Sequence, residues 1–438
     1  MPSNNYLRGF IEEIKDMPNR KTAPPIRPIE RLDLPPVEII TLDNGLPVYL
    51  INLGTQEALK LELVYFAGRP YEQKQMVARA TTSLLKEGTR QHSSAQIAET
   101  FDFYGSTLSI PQSLDTANLA FYSLNRHFAK VLPLLTEILT EPTFPEQELA
   151  SFILRNQKNL REDLAKNEVL AYRKITELIF GESHPYGYNS TPETYGALNR
   201  DDLEAHFQRC FTIENSVLFL SGKIDDKIIG QLNKHLGQLD RKGRPTMNVL
   251  PEIPRNPAKV RIDHPGTVQS AIRIGCRLFD RKHPDFPGMH VLNTLLGGYF
   301  GSRLMANIRE EKGYTYNIYS MMDPMRFDGS FYIGTEVGKE FTENSLKEIY
   351  HEMDLIRQEP VEEEELAMVR NYLLGSFLSM IDGPFNVADV VKTLVLEDLP
   401  LDNFSQMVEA TRLTSAEELL QLAQRYLLPE KMWEVVVG

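Results

Sequence analysis

The sequence predicts an α+β protein of two similar domains, each a mostly antiparallel β-sheet packed with helices. Three observations point there. Short runs of alternating apolar residues open each half, long amphipathic segments follow them, and the halves repeat one another in order. With 438 residues, 42% of them hydrophobic and 24% charged, the chain has the size and composition for two or three folded domains.

Residues 1–36 read as an extended N-terminal arm, because their proline content suits an extended backbone. VEIITL and LPVYLIN flank Asp43-Asn44-Gly45, where Asn and Gly tolerate the left-handed backbone of a tight hairpin. LKLELVYFA continues that sheet. A helix is expected over about Gln75–Glu87, with Gly88 ending it, and amphipathic helices at about 94–104, 126–140, 146–165 and 168–180. The first domain spans 37–238. Four prolines mark residues 239–258 as a linker, and VRIDHP and SAIRIGCRLF restart strands in a second domain, 259–438. Glu141-Pro142 is echoed by Glu359-Pro360, Glu148-Leu149 by Glu365-Leu366, and MVARATTSLL from Met76 by MHVLNTLLGG from Met289. Repeats this long imply internal duplication of a whole domain.

Several function classes are excluded. The net charge, 47 − 60 = −13, disfavours binding to nucleic-acid phosphates or anionic membranes. Cys210 and Cys276 make neither a disulfide framework nor a thiolate metal site. With no apolar leader and no membrane-length apolar run, the expected location is the cytoplasm. No two of the nine histidines stand four apart, so no helix offers a paired-imidazole metal site, and surface or capping roles are expected for His184, His283, His290 and the rest. There is no G-x-S-x-G elbow. Gly297, Gly298 and Gly301 follow a helical stretch, unlike a phosphate loop.

The segment LGGYFGSRLMANIREEKGYTYNIYS carries the strongest chemical pattern. Ser302 is placed to cap a helix with Leu304, Met305 and Ile308 on one face, and Gly313 to end it. Tyr314, Tyr316 and Ile318 then alternate as a strand. Arg309 and Tyr316 could enter one cavity, where a guanidinium beside a phenol suits a peptide carbonyl or an oxyanion. Spacing alone favours a plainer account, an arginine at a helix C-terminus and a tyrosine half-buried in a sheet.

LDNGLPVYL, LLKEGT, the HPYG turn at His184–Gly187, Gln269-Ser270 and LGGYFGSRL with IREEKGYTY together resemble the pitrilysin/insulinase-type (inverzincin) zinc proteases, the family of mitochondrial processing peptidase. The resemblance runs from about Val37 to the end. It implies H-x-x-E-H on the helix before LLKEGT and a downstream glutamate as third ligand. Here those positions hold Arg79, Thr82, Ser83 and Asn159. A guanidinium about 4 Å from a dication would be repelled by roughly 8 kcal/mol at an effective dielectric near 20. No metal or other cofactor is therefore expected in this chain. The resemblance further implies that Arg309 and Tyr316, seven apart, act across a chamber on the zinc site of a homologous partner subunit, with peptide as substrate and with Gly297, Gly298 and Gly301 contacting it. On this basis the chain is the non-zinc-binding subunit of a heteromeric metallopeptidase. The alternative is a structural or peptide-binding homologue without proteolysis.

Overall fold

The computed structural model describes residue 29 and residues 31–240, 243–253 and 256–438. Most of the expected arm, 1–28 with residue 30, and parts of the expected linker, 241–242 and 254–255, lie outside the described residues.

The first half supplies β1 (Glu38–Thr41), β2 (Pro47–Asn52), β3 (Ala58–Tyr65), β4 (Thr107–Ser109), β5 (Ala117–Leu124) and β6 (Ser216–Gly222), in the sheet order β1-β2-β6-β3-β5-β4. The predicted hairpin forms, with Glu38 opposite Leu50 and Gly45 at φ +88°. β3 does not extend it directly. β6 inserts between them, parallel to β2 and antiparallel to β3. Around the sheet lie α1 (Val77–Leu84), α2 (Ser94–Phe103), α3 (Asn125–Thr140), α4 (Glu146–Asp163), α5 (Asn167–Phe180), α6 (Pro192–Gly196), α7 (Arg200–Cys210) and α8 (Asp226–His235). α1 is shorter than the expected Gln75–Glu87. The segments expected at 94–104, 126–140, 146–165 and 168–180 correspond to α2 to α5.

The second half supplies β7 (Lys259–Ile262), β8 (Gln269–Leu278), α9 (Phe286–Asn293), β9 (Ile318–Pro324), β10 (Gly329–Gly338), α10 (Thr342–Gln358), α11 (Glu363–Met380), α12 (Pro384–Leu396), α13 (Asn403–Leu413), α14 (Ala416–Tyr426) and β11 (Trp433–Val437). Its sheet runs β7-β11-β8-β10-β9, with β7 and β11 parallel. Position for position this repeats β2-β6-β3-β5-β4. The helices repeat too. α10, α11 and α12 begin at 342, 363 and 384, each 217 residues after the starts of α3, α4 and α5 at 125, 146 and 167.

The two halves exchange helices. α5 packs on β8 and β11 of the second sheet, and α12 packs on β6 and β2 of the first. Both helices bury residues one turn apart, Ala171, Ile175 and Ile179 in α5 and Val387 and Val391 in α12. Val387, Ala388 and Val391 close over Ile51, Val64 and Phe219. Leu59, Leu61 and Leu63, on the other face of β3, join Phe128, Val131, Leu135 and Ile138 of α3 in the larger core. Among the described residues no helix is long and apolar enough to cross a membrane.

Candidate functional site

The chain leaves β3 through Ala67, Gly68 and Arg69, and it enters α1 at Met76. Arg69 Nη1 donates to the carbonyls of Pro185 (2.9 Å) and Tyr188 (3.1 Å), and its guanidinium lies 4.0 Å from the centre of the Tyr188 ring. The Tyr188 hydroxyl donates to Glu72 Oε2 at 2.7 Å, and the Ala78 N–H donates to Glu72 Oε1 at 3.0 Å. Glu72 thus braces the head of α1 from a buried position. Burial pushes its carboxyl up to about 7, against the opposing pull of the Tyr188 hydrogen bond and the Arg69 charge. Met76 has φ +70°, a conformation costly for a side chain with a Cβ, yet it is 1% exposed. Burying a methionine gains about 2 kcal/mol, enough to offset that local strain.

Arg79 is exposed, with Nη2 3.5 Å from Asn156 Oδ1 on α4. Thr82 is buried, and its hydroxyl donates to the Ala78 carbonyl at 2.7 Å. Ser83 is half-buried one helical turn after Arg79. The residue of α4 that meets Arg79 is Asn156 and not Asn159, which is exposed. The inward face of α4 carries Leu149, Phe152 and Leu160, and Asn156 follows Phe152 by one turn on that side. A fixed cation, a hydroxyl committed to backbone, a serine and an amide do not fit a divalent metal. Among the described residues no group of three or more His, Cys, Asp or Glu could hold one.

Beside α1 lies a cavity of about 240 Å³. Its polar lining is Arg69, Arg79, Thr82, Gln112, Ser113 and Thr116, and its apolar walls include Ala67, Met76, Ala78 and Leu114. Arg309 and Tyr316 do not line it. Sequence reasoning missed Arg69, Glu72, Gln112, Ser113 and Thr116. They come from loops with no periodicity, and only the packing of those loops brings them to α1.

In the second half, α9 continues into a widened turn, Thr294–Gly298, and a second wide-turned helix covers Met305–Glu311. In the latter the Lys312 N–H reaches back five residues to the Asn307 carbonyl. Leu304, Met305 and Ile308 are buried as their pattern predicts, and Gly313 ends the helix at φ +65°. The Ser302 carbonyl accepts from the Ala306 N–H, but its hydroxyl does not cap the helix: it is buried and finds no partner among the described residues. The expected strand begins at Ile318, after Tyr314 and Tyr316. The Thr315 hydroxyl donates to the Glu336 carbonyl at 2.7 Å, and the Thr335 hydroxyl donates to the Asn317 carbonyl at 2.9 Å. These side-chain bonds take the place of ladder pairs and tie the loop to β10. Tyr314 stacks on Phe341, whereas Tyr316 is 90% exposed. The Arg309 guanidinium lies 4.6 Å from the Phe300 ring centre. A side chain at Gly297 would collide with the Ser320 backbone N, and one at Gly301 with the Tyr299 ring, so these two glycines allow close packing. Gly298 is exposed.

The expected surface or capping histidines are partly corrected. His184 and His206 are buried, and His290 is half-buried with its ring packed inward. Burial lowers His206 and His290 to about 4, so both are neutral. A neutral imidazole packs like an aromatic ring: His184 stacks on Phe180, and His290 on Phe286 and Phe377. His184 also keeps a capping bond, Nδ1 accepting from the Tyr186 N–H at 3.1 Å, and His283 accepts from the Asp285 N–H in the same way.

Comparison with known proteins agrees with this picture. Residues 197–373 match the family described as "Peptidase M16 inactive domain". The chain is 23% identical over 349 residues to the Bacillus subtilis "Uncharacterized zinc protease YmxG", covering 78% of this chain and 84% of that protein. It is 23% identical over 308 residues to the Helicobacter pylori "Non-peptidase homolog YmxG", covering 68% of this chain and 70% of that one. A crystal structure of a peptidase M16 inactive domain from Pseudomonas fluorescens superposes with a TM-score of 0.83 at 23% identity, over 92% of this chain and 98% of its own. With its two repeated sheets, and with Arg79, Thr82 and Ser83 on the helix before LLKEGT, the chain is similar to the pitrilysin-type peptidases and carries no H-x-x-E-H on that helix.

Proposed function

We propose that this chain is the metal-free subunit of a two-subunit zinc peptidase, with 37–238 and 259–438 as its two domains. The partner is a homologous chain with H-x-x-E-H, which supplies the metal and the hydrolytic water. Arg309 and Tyr316 orient the peptide and stabilise the developing oxyanion in the partner's site, and the glycine segment Gly297, Gly298 and Gly301 lies along the substrate. The observation that carries this reading is the presentation of Tyr316. A tyrosine 90% exposed on a loop braced by Thr315 and Thr335 is available to a second chain and serves no core of its own. A second reading, a peptide-binding homologue without proteolysis, is favoured by the description of the Helicobacter pylori relative as a non-peptidase homologue.

The test measures cleavage of a quenched fluorescent peptide by this chain, by the zinc-bearing homologue, and by their mixture. Only the mixture should cleave efficiently. Arg309→Ala with Tyr316→Phe should lower its kcat/KM by about 100-fold, the scale for lost oxyanion donors, while the complex still forms. Full activity of that double variant in an intact complex would refute the assigned roles. A mixture with no activity would favour the second reading.

A further inference from the structure

We propose that the cavity beside α1 is a binding site for a peptide carboxylate, anchored by the Arg79 guanidinium. The inference goes beyond the reading above, because it concerns this chain's own first half and needs no partner.

The charge around the cavity is one-sided. Arg69 and Arg79 line it and no acidic residue does. The nearby carboxylates are turned elsewhere. Glu72 faces the Tyr188 hydroxyl and the Ala78 N–H, and Asp115 takes the Tyr186 hydroxyl and the Arg326 N–H. Arg69 is held by two carbonyls and a ring, and so contributes a fixed positive charge. Arg79 is different. Among the described residues its one hydrogen bond goes to the Asn156 amide oxygen, at 3.5 Å, the long limit of such contacts, and it has no carboxylate partner. Its planar donor fork is therefore open to a ligand.

Ser113 and Thr116 add hydroxyls to the same lining. Ser113 Oγ accepts from the Asp115 N–H (3.3 Å) and the Thr116 N–H (3.2 Å) and shares a hydrogen bond with the Thr116 hydroxyl (2.9 Å). With two amides on its lone pairs, Ser113 can pass its own proton to the Thr116 hydroxyl oxygen, so the pair is a polar wall of the cavity. The planar guanidinium fork of Arg79 matches the two coplanar oxygens of a carboxylate. The apolar walls, Ala67, Met76, Ala78 and Leu114, would leave a third phosphate oxygen unmet, but they suit the aliphatic carbon next to a carboxyl group.

The test titrates the full-length chain by calorimetry with acetyl-Ala-Leu-Ala-Leu-Ala as its free acid and as its carboxamide. The free acid should bind at least about tenfold tighter, the scale of one charge-assisted hydrogen-bond pair. Arg79→Gln should abolish the difference, and a thermal melt of that variant should match the parent, because the exposed side chain touches little. Sodium phosphate should fail to compete. Equal affinity for acid and carboxamide, no binding of either, or discrimination that survives Arg79→Gln would each overturn the site. Displacement of the peptide by phosphate at equal affinity would overturn the peptide assignment. Because neither Arg309, Tyr316 nor a partner takes part, failure here leaves the two-subunit reading standing.

Discussion

Glu72 holds its carboxyl between the Tyr188 hydroxyl and the Ala78 N–H, and burial raises its pKa from 4.5 to about 7. The sign of its effect on stability follows. Between 4.5 and about 7 the folded state keeps the proton and the unfolded state releases it, so stability falls as pH rises through that window and flattens above it. Glu72→Gln keeps the neutral geometry and removes the titration. The stability of the parent relative to Glu72→Gln should therefore drop by about 3 kcal/mol between about pH 4.5 and about pH 8. Denaturant melts of both proteins at the two pH values check this, and a pH-independent difference would remove Glu72 from the account. At this scale much of the site was legible. Arg79, Thr82 and Ser83 sit on one helix and disqualify it as a metal site from sequence alone. That Asn156 of α4 meets Arg79 was not legible, because register along a helix 77 residues away depends on how the two helices pack.

β3 and α12 are tied by ions as well as by packing. Lys60 and Glu62, 4% and 1% exposed, alternate with the leucines of β3 and so face α12. Lys60 Nζ is 2.9 Å from Glu62 Oε2 and 2.8 Å from Asp389 Oδ1, and Lys392 Nζ is 2.8 Å from both Glu62 Oε1 and Asp389 Oδ1. Burial alone would lower the Lys60 pKa, but the hydrogen bonds to Asp389 and Glu62 outweigh it and leave the ammonium above its ordinary value. Removing Glu62 leaves the buried Lys60 with only the half-exposed Asp389 as partner. Glu62→Ala should cost about 3–5 kcal/mol, measured by chemical denaturation. A loss below about 1 kcal/mol would mean that water screens the cluster as it screens a surface pair. The long helices α2 to α5 were legible because their apolar spacing is local. The wide turns at Thr294–Gly298 and Met305–Glu311 were not, since a five-residue hydrogen-bond step leaves little trace in residue type.

Across the molecule the exchanged helices make each half part of the other's cover. Phe219 of β6 is 1% exposed, stacks on Tyr49, and lies under Val387 and Val391 of α12. Neither sheet can lose its neighbour without exposing apolar surface. Calorimetry should therefore record one cooperative unfolding transition, and Phe219→Ala should lower it as a whole at a cost of about 3–5 kcal/mol. Two separately melting transitions would show that the halves fold independently in spite of the exchange. The residue order alone was enough for the repeat, the periods of the long helices, the Asp43-Asn44-Gly45 hairpin and the replaced ligand set, since each is a property of neighbouring residues. Long-range packing settled the rest: β6 inserting between β2 and β3, α5 and α12 trading sheets, Tyr316 standing in solvent, and Arg69 and Ser113 lining one cavity with Arg79. Such contacts join segments far apart in the chain, and their geometry comes from loop paths and burial that no short stretch of sequence encodes.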